Sequence, residues 1–341
     1  MTKLTPGKLK GLRAVADKKG VIRAAAMDQR GSLRKAIAKE RGVDAKAVTQ
    51  KEMEEFKTSV SKALTPYASA ILLDPEFGLP AAKARSKNAG LLLAYESTGY
   101  DQTTPGRIPM LIPNWSVKKS KEAGADCIKI LLYYTPFEKR DINATKHEWV
   151  KKIGDECAQN DMPFFLEFVG YDPDGGDEKG LEYAKKKPEI VAGSMREFSK
   201  DKYGVDVLKV EIPVNLKFTQ GTRAFKNQGV AYTMDEAVEH YRTAEKSATK
   251  PFIYLSAGVG DDEFRESLEI AIEAGINFAG VLCGRATWKD GIPIYAKQGV
   301  KAFDAWLADR GVKNIQALNA VLATGARSWE DKFGNKTILA R

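Results

Sequence analysis

Eight short apolar runs alternate with longer stretches of helical periodicity, and this alternation constrains the 341-residue chain more than any other feature. The runs are Ile22–Asp28, Ser69–Asp74, Leu91–Glu96, Asp126–Tyr134, Pro163–Gly170, Asp206–Pro213, Pro251–Ser256 and Phe278–Cys283. They are nearly continuous in apolar residues, as strands of a parallel sheet are when both faces are covered. Between them, Lys51–Leu64 carries Met53, Phe56, Val60 and Leu64 on one helical face. Trp149–Asn160 and Met234–Ser247 behave alike, and Glu263–Ala274 runs into Gly275, a natural helix stop. Eight β-α alternations in a chain of this size predict a closed (β/α)8 barrel. Its core is expected over about residues 20–310, as one domain with an N-terminal helical segment and a C-terminal extension over 311–341. The rival, an open doubly wound sheet, calls for a GxGxxG turn after the first strand, and none follows Asp28.

Charge says less. Lys and Arg total 54 against 45 Asp and Glu, a formal +9. The two signs are interleaved along amphipathic stretches such as Ala38–Phe56, which reads as solvated helix faces. Nucleic acid is therefore not an expected partner. No apolar run is long enough to span a bilayer, and the N-terminus lacks a signal-peptide core, so no membrane association and a cytoplasmic location are expected. Cys127, Cys157 and Cys283 form no CxxC pair, which suits a reducing compartment. No metal site is expected, and the only histidines, His147 and His240, lie outside the apolar runs.

Active sites of such barrels lie at the C-terminal ends of the strands, so polar residues late in apolar runs are the candidates. Lys209 stands between Leu208 and Val210 in the sixth run. Lysine is almost never buried unpaired. A desolvated amine beside another cation can lose its proton and attack a carbonyl. Lys129, on one face of the fourth strand with Leu131 and Tyr133, supplies that cation. Glu167 in the fifth run is flanked by Phe164, Phe165 and Phe168. If buried among them its pKa is expected to rise, which would suit a proton shuttle, and a salt bridge to either lysine is a compatible role. Asp28 closes the first run behind Ala24 and Ala26, whose small side chains leave room for ligand; Gln29, Arg30 and Ser32 follow, and Arg30 is a candidate for polar contacts to the substrate. The seventh and eighth runs end in Ser256–Gly260 and Gly284–Trp288. Phosphate binds at these two positions in many barrels. Ser256, Gly258, Gly284 and Arg285 fit such a site, through close backbone approach and a bidentate guanidinium.

These segments resemble the class I tagatose-1,6-bisphosphate aldolases over nearly the whole chain. The resemblance is carried by Met27–Leu33, Ile128–Tyr134, Leu166–Asp172, Asp206–Asn215, Tyr254–Val259 and Gly280–Trp288. It implies reversible cleavage of a ketose bisphosphate to dihydroxyacetone phosphate and glyceraldehyde 3-phosphate, without a cofactor or metal. Lys209 would be the Schiff-base lysine, Glu167 the acid/base and Lys129 the second active-site lysine. Asp28 and Gln29 would match the family's strand-one residues, and Ser256 and Arg285 its phosphate ligands. A sugar-phosphate substrate and a homo-oligomer, dimer or tetramer, are further implied. The loop Tyr171–Gly180 and Gly260 depart from the family pattern. An aldolase for fructose 1,6-bisphosphate or a sulfosugar phosphate stays open at this stage, as does a non-catalytic sensor of sugar phosphates.

Overall fold

The computed structural model describes residues 4–333 except residue 102. Eight parallel strands close in sequence order into a barrel: β1 (Ile22–Ala26), β2 (Ala70–Leu73), β3 (Gly90–Ala94), β4 (Cys127–Tyr133), β5 (Phe164–Val169), β6 (Val207–Glu211), β7 (Phe252–Leu255) and β8 (Gly280–Cys283). Each lies within one of the eight apolar runs, except that β3 begins one residue earlier, at Gly90. The predicted helices also form, over Gln50–Leu64, Arg140–Gln159, Met234–Ser247 and Asp261–Glu273. Two of them begin with capping boxes, in which Thr49 and Thr233 exchange hydrogen bonds with Glu52 and Glu236. The helix Asp261–Glu273 ends just before Gly275, whose φ of 76° is one that L side chains rarely adopt.

Strand parity splits the apolar residues between two cores. Leu91, Leu93, Ile128, Ile130, Phe164, Leu166, Phe168, Leu208, Phe252 and Tyr254 point outward, against the surrounding helices. Ala24, Ala26, Ala70, Leu72, Leu92, Ala94, Phe165, Val207 and Ile253 point into the barrel. Leu9, Leu12 and Val15 of the helix Pro6–Val15 and the indole of Trp329 join this inner cluster. The inner cluster thus fills the N-terminal end of the barrel and leaves the opposite mouth for polar side chains.

The C-terminal extension is helical over Val312–Gly325 and packs on the helix Asp261–Glu273. It then returns past Trp329, whose amide donates to the Gly20 carbonyl (3.0 Å). Residues 334–341 of the expected extension lie outside the described residues. No helix among the described residues is long and apolar enough to cross a membrane.

Candidate active site

Past the apolar layers, the inward positions turn polar. Glu167 follows Phe165 by two residues on β5, Lys129 follows Cys127 on β4, and Lys209 follows Val207 on β6. Glu167 and Lys209 are paired in register on adjacent strands, as are Lys129 and Ala94. A single carboxylate oxygen, Glu167 Oε2, lies 2.8 Å from both Lys129 Nζ and Lys209 Nζ. Lys129 Nζ also donates to Asp28 Oδ2 (2.7 Å) and to Glu96 Oε1 (3.0 Å). Three carboxylates thereby surround the Lys129 ammonium, Asp28 and Glu96 accepting its hydrogen bonds and Glu167 pairing with its charge. The place a cation would take among three acids is filled by the protein's own ammonium.

Burial shapes the charges here, but the partners decide them. Desolvation works against a charged Lys129, yet the carboxylates of Asp28, Glu167 and Glu96 outweigh it and hold its pKa well above the usual lysine range. Burial would raise Asp28, and the ammonium groups of Lys129 and Lys209 instead hold it well below the ordinary carboxylate range. Glu167 corrects the expectation drawn from its aromatic neighbours. Its pKa is lowered, because the two lysines overcome the desolvation. Phe164 and Phe168 have opposite strand parity and lie in the outer core, so they do not form an apolar pocket around the carboxylate. Glu96 is the carboxyl group held above its usual value, by burial foremost, even with Lys129 and Arg30 beside it.

Glu96 was not singled out from sequence, and neither was Lys57. Lys57 sits on the helix Gln50–Leu64 and is fully buried. It donates to the carbonyls of Met27 (2.7 Å) and Gln29 (2.8 Å) and to Asp74 Oδ2 (2.6 Å). Those carbonyls flank Asp28, so Lys57 fixes the backbone that aims it. Arg30 is largely engaged within the protein. Its Nη2 donates to the Glu96 carbonyl (2.7 Å) and its Nη1 to Glu76 (3.2 Å). Gln29 lines the same cleft, and its Oε1 is buried with no hydrogen-bond partner.

The cleft has a volume of about 590 Å³ and opens at the C-terminal mouth of the barrel. On its far side stand the turns after β7 and β8. Ala257 and Gly258 adopt φ values of 46° and 82°, which fold the chain sharply after Ser256. A Cβ on Gly258 would come 2.8 Å from Arg285 Cζ, so the missing side chain is what admits the guanidinium. Gly284 packs as closely: an added Cβ would meet the Ala26 carbonyl oxygen at 2.7 Å. Arg285 is exposed to the cleft at the start of the short helix Arg285–Trp288. The neighbouring helix Asp261–Glu273 starts with three acids, which already complement its positive end. The Ser256–Gly258 turn and Gly284–Arg285 line this rim of the cleft. All ten residues singled out from sequence as site candidates border the cleft except Lys129, which lies just beneath its floor.

The profile of the DeoC/LacD family aldolases matches residues 22–290. Tagatose 1,6-diphosphate aldolase 2 of Enterococcus faecalis is 51% identical over 332 residues, 97% of this chain and 98% of that protein. Tagatose 1,6-diphosphate aldolase of Listeria monocytogenes is 49% identical over 335 residues, 98% of this chain and 97% of that protein. Among solved structures, a fructose-bisphosphate aldolase of Plasmodium falciparum superposes with a TM-score of 0.66 at 13% identity, over 93% of this chain and 96% of that one. An archaeal fructose-1,6-bisphosphate aldolase with its catalytic lysine bound to a carbinolamine superposes at 0.54 with 16% identity, over 87% and 98% of the two chains. These two share the fold. The match in sequence over both the barrel and nearly the full length of the relatives is decisive, and the chain belongs to the DeoC/LacD aldolase family.

Proposed function

We propose that this chain is a Schiff-base aldolase that reversibly cleaves D-tagatose 1,6-bisphosphate to dihydroxyacetone phosphate and D-glyceraldehyde 3-phosphate, with Lys209 as nucleophile. The observation that carries the reading is the carboxylate oxygen of Glu167 shared by two lysines at the mouth of the barrel. A binding module needs no such arrangement, whereas amine catalysis needs a nucleophile, a fixed cation and a base within hydrogen-bond reach. The substrate follows the two relatives at about half identity, both of which are tagatose 1,6-diphosphate aldolases.

In this reading Lys209 Nζ attacks the C2 ketone of the open-chain sugar, and loss of water gives a protonated imine. Lys129, held as an ammonium, fixes the Glu167 carboxylate beside Lys209. Glu167, ionised at neutral pH, takes the proton of the C4 hydroxyl as the C3–C4 bond breaks. The bonding electrons flow into the imine, giving an enamine and releasing the aldehyde. Protonation at C3 and hydrolysis then free dihydroxyacetone phosphate and return the amine. Asp28 orients Lys129 and a substrate hydroxyl, and Gln29 adds a polar contact. Ser256, Gly258, Gly284 and Arg285 hold the C1 phosphate; Arg30 supports the distal wall. We further assign the protein to the cytoplasm, where Cys127, Cys157 and Cys283 stay as the buried free thiols seen here. A homo-oligomer is our expectation for its solution state.

Borohydride trapping tests the chemistry. The protein is incubated with dihydroxyacetone phosphate, reduced and mapped by peptide mass spectrometry. The expected adduct lies on Lys209 and is absent from Lys209→Ala. No adduct, or one on another lysine, would overturn the assignment. Rates on ketose bisphosphates epimeric at C4 test the substrate, and a preference for the fructose epimer would count against tagatose.

A further inference from the structure

Glu96 stands just past β3 with the parity of Leu92 and Ala94, which points it into the barrel. Its backbone is pinned twice, by a bridge to Leu111 and by the Arg30 guanidinium on its carbonyl. One carboxyl oxygen, Oε1, accepts from Lys129, and Arg30 Nη2 lies 3.8 Å from it. The other, Oε2, is buried and has no hydrogen-bond partner, although the residue lines the cleft. An unpaired buried carboxyl oxygen is expensive. A rigid protein keeps one where a ligand completes it, and Gln29 Oε1 is unpaired in the same cleft.

The order of contacts says which part of the ligand that is. From β6 to β3 they run Lys209–Glu167–Lys129–Glu96. Glu96 is thus the most distant member from the nucleophile, on the side away from the β7 and β8 turns. We propose that Glu96 is a substrate-contacting specificity residue whose Oε2 pairs with the non-reacting hydroxyl of the aldehyde half, the one that becomes the C5 hydroxyl of the sugar. The proposal rests on the Lys209 reading: if Glu167 serves the C4 hydroxyl, the next hydroxyl along the chain meets the next carboxyl. Burial holds the Glu96 carboxyl above its usual range. In its protonated form Oε2 donates to the sugar oxygen, and in its ionised form it accepts from the hydroxyl.

The test is condensation of dihydroxyacetone phosphate with D-glyceraldehyde 3-phosphate and with its 2-deoxy analogue, 3-phosphooxypropanal. Wild type, Glu96→Gln and Glu96→Ala are compared, after each has been shown to melt cooperatively and to give the borohydride adduct on Lys209. Wild type should prefer the hydroxylated aldehyde in kcat/KM by about tenfold or more, the scale of a lost hydrogen bond to a polar group left unpaired. Glu96→Ala should lose that preference, and Glu96→Gln, which keeps a hydrogen-bonding terminus, should retain part of it. The same preference in wild type and Glu96→Ala would overturn the proposal. So would loss of the adduct in both variants with wild type still trapped, since Glu96 would then act only by holding Lys129. Failure of wild type to be trapped would instead refute the Lys209 reading itself.

Discussion

Replacing Lys57 by Met exposes how much of the catalytic geometry is set from outside the barrel. Methionine fills most of the lysine volume, so the change removes a charge and its hydrogen bonds more than it removes packing. Lys57 Nζ makes three short contacts, to Asp74 Oδ2 and to the carbonyls of Met27 and Gln29, and both side chains of the ion pair are 0% exposed. Desolvation pulls the Lys57 pKa down, and the Asp74 carboxylate is the main force opposing it. In Lys57→Met, Asp74 keeps only the amide of Phe77 on its other oxygen (2.8 Å). Removing one partner of a buried pair costs about 3–5 kcal/mol. At the entropy typical of a chain this long, this corresponds to a fall in melting temperature of about 4–7 °C. Activity should suffer separately, because the two freed carbonyls flank Asp28. A drop of about tenfold in kcat is expected, the scale on which a small loss of orientation acts. The double variant Lys57→Met/Asp74→Leu separates the two effects. It removes the stranded charge and should recover most of the stability, as apolar replacements of buried pairs often do. It does not restore the donor to Met27 and Gln29, so kcat should stay low. Calorimetry and steady-state kinetics on the three proteins decide the matter. A melting temperature within 1 °C of wild type for the single variant, or full recovery of kcat in the double, would refute the reasoning.

Two further outcomes follow from single side chains. Gly258→Ala places a methyl 2.8 Å from Arg285 Cζ at a φ of 82°, so the guanidinium must move; KM for the bisphosphate should rise about tenfold with a smaller change in kcat, and an unchanged KM would remove Arg285 from the phosphate site. Lys146 is buried and donates to Tyr171 Oη (2.8 Å), and desolvation pulls its pKa down to about 8. Because its folded value lies below the unfolded value of about 10.4, the unfolded chain binds more protons between these limits, and this group makes stability rise as pH climbs from about 8 toward 10. Lys146→Met should flatten that rise in a melting-temperature profile, and a profile parallel to wild type would refute the assignment.

Most of the barrel was legible because each strand is short, apolar and bounded by polar residues, and helical periodicity fills the gaps. Lys209, Lys129 and Glu167 were legible for a related reason. A charged residue two positions after an inward apolar one must follow the same parity, so a charge inside an apolar run marks where the barrel turns from core to site. Lys57 and Glu96 escaped this reasoning for different causes. Lys57 lies on an amphipathic helix among Lys51, Lys62 and several acids, where a lysine ordinarily faces solvent; only the closure of β1 against β2 brings the carbonyls of Met27 and Gln29 beneath it. Glu96 follows Ala94 and Tyr95 at a strand end, where a carboxylate usually turns outward. Its burial depends on Arg30 and Lys129, which come from 66 and 33 residues away.

The sign of the Glu167 shift shows where local sequence misleads about charge. Neighbours at odd spacing on a strand are adjacent in sequence but lie on the opposite face of the sheet, so Phe164 and Phe168 contribute to the outer core. The residues that set the carboxylate's proton affinity sit on the two flanking strands, at the same inward level: Lys129 on β4 and Lys209 on β6. At hydrogen-bond distance two ammonium groups outweigh the desolvation of one carboxylate. The chemical consequence is specific. A Glu167 with a raised pKa would enter the reaction as an acid, whereas an ionised Glu167 suits the base we propose for the C4 hydroxyl, and the raised pKa moves to Glu96 on the other side of Lys129. Two carboxyl groups on one lysine are thereby driven apart in proton affinity, and such separation allows neighbouring acids to take different roles within one site.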